Sequence, residues 1–168
     1  MKFLNIVKLA LPAAAFGFLA LGPASIPVAA STTTATFLVT ATVASTCTVS
    51  ATPLAFGSYT GALSQINTTV TVTCTNTTPY NVGLNAGMAS GATVTSRSMT
   101  GPASALLSYQ LFRDAGHTLN WGVTIGTDTV SVTANGSAQV QTVYGQIPAA
   151  QFVAPGAYAD TITATVTY

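Results

Sequence analysis

Few side chains of this 168-residue chain are able to do chemistry: two Lys, two Arg, three Asp and one His, with no Glu. Charged residues make up 4% of the sequence, against about a quarter in an ordinary soluble domain. One His and three Asp leave little from which to build paired acid and base groups. Asp114 and His117 share a single stretch, Arg113-Asp114-Ala115-Gly116-His117, whereas the members of a catalytic triad converge from separate elements. A surface turn is the expectation there, and the chain reads as no enzyme. A zinc site wants four ligands at short spacings, and His117 lies far along the chain from Cys47 and Cys74, so no metal is expected and no cofactor is implied. Lys2, Lys8, Arg97 and Arg113 form no basic cluster, which sets nucleic acid aside as a partner. Three Asn-x-Ser/Thr triplets, beginning at Asn67, Asn76 and Asn135, arise by chance in a Thr-rich sequence and receive no role.

Both lysines stand in the first eight residues, ahead of an apolar run from Leu9 to Leu21 and a small-residue stretch ending at Ala30. That pattern is a secretory signal peptide over residues 1–30, cut between Ala30 and Ser31. Pro12, Pro23 and Pro27 interrupt the run, which falls short of the roughly 20 apolar residues a membrane-spanning helix needs. Losing Lys2 and Lys8 would take the formal charge from +1 to −1, so no electrostatic partner is implied. In an exported chain the even cysteine count reads as one disulfide.

The elements that position these residues are strands. Thr and Val are β-branched and favour a pleated surface, and period-two alternation recurs along the chain. Phe37, Val39, Ala41 and Val43 share one face of a long first strand running toward Cys47 and Val49. Ile66 to Cys74, Tyr80 to Leu84, Leu107 to Leu111, Trp121 to Ile125, Val130 to Val132, Ala138 to Tyr144 and Tyr158 to Tyr168 alternate in the same way. Asn135-Gly136 reads as a hairpin turn, and residues 85–101 read as a loop. Seven or eight short strands with turns about every 8 to 12 residues point to one all-β domain, a sandwich of immunoglobulin type. An outer-membrane barrel fits less well, because the outward faces carry Thr rather than an apolar band. With so few charges, an internal ion pair of Asp160 with one arginine is expected; solvated turn charges are the alternative.

The two ends of the chain are the unusual part. The first strand starts soon after the cleavage site and is longer than its domain requires, and the last segment alternates up to Tyr168. A sandwich that stops at its penultimate strand leaves an open groove and an unpaired edge, which a strand from another chain can fill. The alternative is an N-terminal strand that pairs within its own sheet, giving a self-complete secreted coat or ligand-binding protein.

The region after residue 30 resembles the spore coat protein U domain family, which includes the subunits of archaic chaperone–usher pili. The resemblance rests on Cys47-Thr48-Val49, Leu54-Ala55-Phe56-Gly57-Ser58-Tyr59, Val70 to Thr75, Arg97-Ser98-Met99, Leu107 to Asp114, Trp121-Gly122, and Gly156-Ala157-Tyr158-Ala159-Asp160-Thr161 running to Tyr168. It implies an incomplete immunoglobulin-like β-sandwich over residues 47–168, preceded by an extension at 31–46 and completed by a donated strand. It further implies export through the periplasm to the cell surface, and a structural role in a pilus that supports adhesion and biofilm formation. The implied partners are a periplasmic chaperone, an outer-membrane usher and neighbouring subunits in a homo- or hetero-polymer. By position, Phe37, Val39, Ala41 and Val43 would form the donor strand. Ile162, Ala164, Val166 and Tyr168 would form the acceptor edge, with a terminal carboxylate for the chaperone to grip. Cys47 would bridge to Cys74, tying the first strand to the second. A single domain with its own extension fits a rod or adaptor subunit better than a two-domain tip adhesin.

Overall fold

A computed structural model describes residues 27–168. The expected signal peptide lies, except for residues 27–30, outside the described residues. The chain divides into two units between Thr40 and Ala41. Residues 27–46 form no strand, and every one of them is exposed. The alternation of Phe37 to Val43 therefore has no partner strand among the described residues. The long first strand expected there is observed only from Cys47 onward.

Eight strands follow: β1 Cys47–Ala51, β2 Ser64–Cys74, β3 Pro79–Leu84, β4 Arg97–Thr100, β5 Leu106–Phe112, β6 Val130–Thr133, β7 Gln139–Ile147 and β8 Ala164–Thr167. They make two sheets, one in the order β1-β2-β7-β5-β4 and one in the order β6-β3-β8. All strand pairs are antiparallel. The alternating apolar residues meet between the sheets: Val70, Val72, Val143 and Ile147 from one side, Tyr80, Val82 and Leu84 from the other. Trp121 is fully buried and donates its indole N–H to the Val82 carbonyl at 2.8 Å. Ile162, Ala164 and Val166 pack partly buried against this core. Tyr168 does not continue the pattern: it is exposed.

Four local expectations are corrected. The last strand covers Ala164–Thr167 and not the whole alternation from Tyr158 to Tyr168. Trp121 to Ile125 is not a strand, because Asp128 folds the segment over: Thr124 N–H donates to its carboxylate at 2.6 Å and Gly122 N–H to its carbonyl at 2.9 Å. The turn at Asn135-Gly136 is present, with Gly136 at φ +79, but it is not a hairpin. The β6 strand before it pairs with β3 and the β7 strand after it with β2 and β5, so the chain crosses from one sheet to the other. Residues 97–100, read as loop, pair with Leu106–Tyr109.

Cys47 and Cys74 face each other in the β1–β2 register and form the disulfide. β1 is an edge of one sheet and β8 an edge of the other.

Candidate functional site

Between the sheet edges runs a groove with a cavity volume of about 1200 Å³. Its floor is apolar core seen from the open side, with Val70, Leu84, Leu107, Leu111, Val143 and Ile147 among the lining residues. One wall is the segment between β1 and β2, where Leu54, Phe56 and Tyr59 turn inward. Phe56 meets the ring of Tyr109 edge-on at 6.4 Å. Gly145 of β7 makes room for this wall, since a Cβ there would collide with the tips of Leu54 and Phe56. The other wall is the segment between β7 and β8, where Val153, Tyr158 and Ile162 line the groove and Phe152 is almost wholly exposed.

Neither wall is a strand. Across Leu54–Thr60 no main-chain group is hydrogen-bonded to another described residue. Pro53, Pro148 and Pro155 contribute to this, because proline has no N–H to pair. The second wall is held at Ala159, which exchanges main-chain bonds with Thr100 at 2.9 and 3.1 Å, so the unpaired backbone lies along the first wall, as at an edge position left unfilled. The walls join at one end: Tyr59 donates its hydroxyl to the Pro148 carbonyl at 2.6 Å, and Ala150 N–H reaches the Gly61 carbonyl at 2.8 Å. There the Gln151 side-chain amide substitutes for a strand, accepting from Ser108 N–H at 2.8 Å and donating to its carbonyl at 2.9 Å.

Asp160 anchors the second wall. Its carboxylate accepts from Tyr109 Oη at 2.7 Å, Met88 N–H at 2.7 Å and Thr161 N–H at 2.8 Å. Burial, and then the bond to Asp160, push the Tyr109 phenol above its ordinary pKa. The expected pairing of Asp160 with an arginine is not found. Arg97, fully buried, directs its guanidinium at four main-chain carbonyls: Asn85 at 2.8 Å, Val94 at 2.7 Å, Leu84 at 3.0 Å and Trp121 at 2.6 Å. Desolvation lowers its pKa, countered by nearby Tyr109, Asp160 and Asp128. Arg113 likewise donates to the carbonyls of Thr129 and Thr127. Asp114 holds its turn closed through Leu119 N–H at 2.7 Å and Thr118 Oγ1 at 2.8 Å, and the Leu119 bond leads in keeping its carboxyl below the usual range.

Of the residues assigned to the acceptor edge, Ile162 and Ala164 line the groove. Val166 pairs across β8 with Val82, and Tyr168 is exposed beyond it. Phe37, Val39 and Val43 are each about four-fifths or more exposed. Apart from Ile162, the residues of the two walls are not marked as parts of a site in the sequence. The signal that remains is length, 12 residues between β1 and β2 and 16 between β7 and β8, long for connections in a compact domain.

Protein U of Myxococcus xanthus is 39% identical over 87 residues, covering 51% of this chain and 48% of that protein. A chain in the crystal structure of the CsuC–CsuE chaperone–tip adhesion subunit pre-assembly complex, from archaic chaperone–usher Csu pili of Acinetobacter baumannii, superposes with a TM-score of 0.53 at 24% identity, covering 76% of this chain and 40% of that one. The present chain thus spans about half or less of either protein's length, and the second likeness concerns the fold. The profile of the Spore Coat Protein U domain matches residues 33–165, a span that takes in both groove walls, the disulfide and the incomplete immunoglobulin-like sandwich, and the chain belongs to that family.

Proposed function

We propose that this protein is a structural subunit of a chaperone–usher pilus, exported through the periplasm and assembled at the cell surface by strand donation between subunits. The observation that carries this reading is the groove: an apolar floor beside a wall, Leu54–Thr60, whose main-chain groups lack partners among the described residues. A strand laid into it would pair with that backbone and bury alternate side chains in the trough. The extension at 31–46 supplies a suitable strand, with Phe37, Val39, Ala41 and Val43 spaced at period two. Leaving three large apolar side chains in water is costly unless a partner covers them. Ile162 and Ala164 would receive the donor, while Val166 and Tyr168 extend the edge a periplasmic chaperone would hold before assembly at an outer-membrane usher. Residues 1–30 would be the signal peptide, 47–168 the receiving domain, and adhesion and biofilm support the consequence of the fibre. The likeness to a chain of a chaperone-bound pilus assembly supports a chaperone and neighbouring subunits as partners.

The test is deletion of residues 31–43. The shortened subunit is expected to co-purify with its chaperone yet to yield no heat-labile oligomer ladder on unheated SDS gels. Normal fibres from the deletion would overturn the proposal.

A further inference from the structure

On the outer face of the β6-β3-β8 sheet lies a second, smaller cleft, built from residues that take no part in the groove. Its volume is about 120 Å³, and Asn81, Thr129, Thr165 and Thr167 line it together with Val123 and Ile125. The loop carrying Val123 passes close over the sheet at Gly83, where a Cβ would stand 3.2 Å from the Gly122 carbonyl and from Val123 Cα, a tight contact. Thr129 is 5% exposed, and its hydroxyl is sealed from solvent without a hydrogen-bond partner among the described residues. Val130, next in sequence, packs toward the core, so strand alternation turns Thr129 to the outer face and the cleft. A buried hydroxyl left unpaired is costly.

From this arrangement we infer that the cleft is a binding subsite for one edge of a neutral sugar ring. The wall chemistry selects the class. Hydroxyls of Thr129, Thr165 and Thr167 and the amide nitrogen of Asn81, whose oxygen already accepts from the Ser131 hydroxyl, offer donors and acceptors without charge, as a sugar's own hydroxyls require. Val123 and Ile125, each more than half exposed, offer methyl groups to the C–H face of the ring. No ionic side chain lines the cleft, so a phosphate or carboxylate ligand would lack a counter-charge. The space holds about four waters at roughly 30 Å³ each, far below the size of a site that engulfs a whole ligand. Single-site affinity therefore falls in the millimolar class, and many copies in a fibre would raise it through avidity.

Saturation-transfer difference NMR on the full-length protein, in whatever assembled form it is purified, tests this with glucose, galactose and N-acetylglucosamine at millimolar concentration. At least one sugar is expected to show transfer. Thr129→Val, which keeps the side-chain shape, is expected to weaken binding roughly fivefold, the worth of one hydrogen bond. Ile125→Asp, at an exposed position, provides a second variant that leaves the core untouched and is expected to abolish transfer. Absence of transfer from all three sugars, or transfer unchanged in both variants, overturns the inference. Neither outcome bears on strand donation, which uses the other site.

Discussion

Arg97 sits where the two sheets and the 85–101 segment converge, and its four carbonyl partners come from three separate stretches of chain. Charge-assisted bonds of this kind are stronger than neutral ones, and truncating the side chain would leave four carbonyls, two buried and two partly buried, without these donors. Arg97→Met is expected to destabilise the domain by about 3 to 5 kcal/mol, read as a lower urea midpoint at unchanged slope. Arg97→Lys should recover little of this, since one ammonium group cannot reproduce the forked geometry. The sequence shows that Arg97 is one of only two cations after Lys8, but its partners are main-chain atoms, which every residue possesses. That is why an ion pair with Asp160 looked natural and a carbonyl cage was illegible. The apolar core was legible: Val70, Val72, Leu107, Tyr109 and Leu111 alternate in the sequence and are buried in the structure.

Among the elements, the β1–β2 pair depends most on a covalent tie. β1 has five residues, and of these only Cys47 is even partly buried, so its hold on the sheet comes from the ladder to β2 and the disulfide at its first residue. Closing a loop across a sequence separation of 27 stabilises by about 3 to 4 kcal/mol in the loop-entropy account. Replacing both cysteines with alanine should lower stability by that amount, measured by thermal unfolding of the purified domain, and should loosen β1 first, visible as faster amide exchange at Thr48 and Ser50, whose N–H groups face β2. The location of strands with strong alternation, such as Ser64–Cys74, could be read from the chain. Their assignment to sheets could not. Asn135-Gly136 encodes a local reversal, yet whether the flanking strands pair is decided by β3, β2 and β5, dozens of residues away. The alternation at Phe37 to Val43 is a genuine β pattern without a pairing partner among the described residues, and periodicity alone cannot distinguish a strand kept from a strand given away.

At the scale of the whole molecule, two buried tyrosines, Tyr80 and Tyr109, whose pKa values burial raises, set the response to alkaline pH, and Asp114 contributes at the acid end. Tyr109 holds its proton more tightly folded than unfolded, because ionisation would place a phenolate beside Asp160 in a buried site. Above about pH 10 the unfolded chain loses this proton while the folded chain retains it, so stability is fully present below that value and declines as pH rises through it. Asp114 works in the opposite sense: its contribution is present above the unfolded carboxyl value and is lost as pH falls through the depressed folded one. Denaturation midpoints measured from about pH 8 to about pH 11 should fall at the alkaline end, and Tyr109→Phe should reduce that fall. Free thiols do not confuse the measurement, since both described cysteines are bridged. The caged arginines have a practical consequence for detection. Between Lys8 and Tyr168 trypsin recognises only Arg97 and Arg113, the first with no exposed surface and the second bound to two carbonyls. Even after denaturation, residues 98–113 form the only fragment of convenient mass from that span, so surveys that rely on tryptic peptides will under-count this protein, while chymotrypsin, with aromatic sites along the chain, will reveal it.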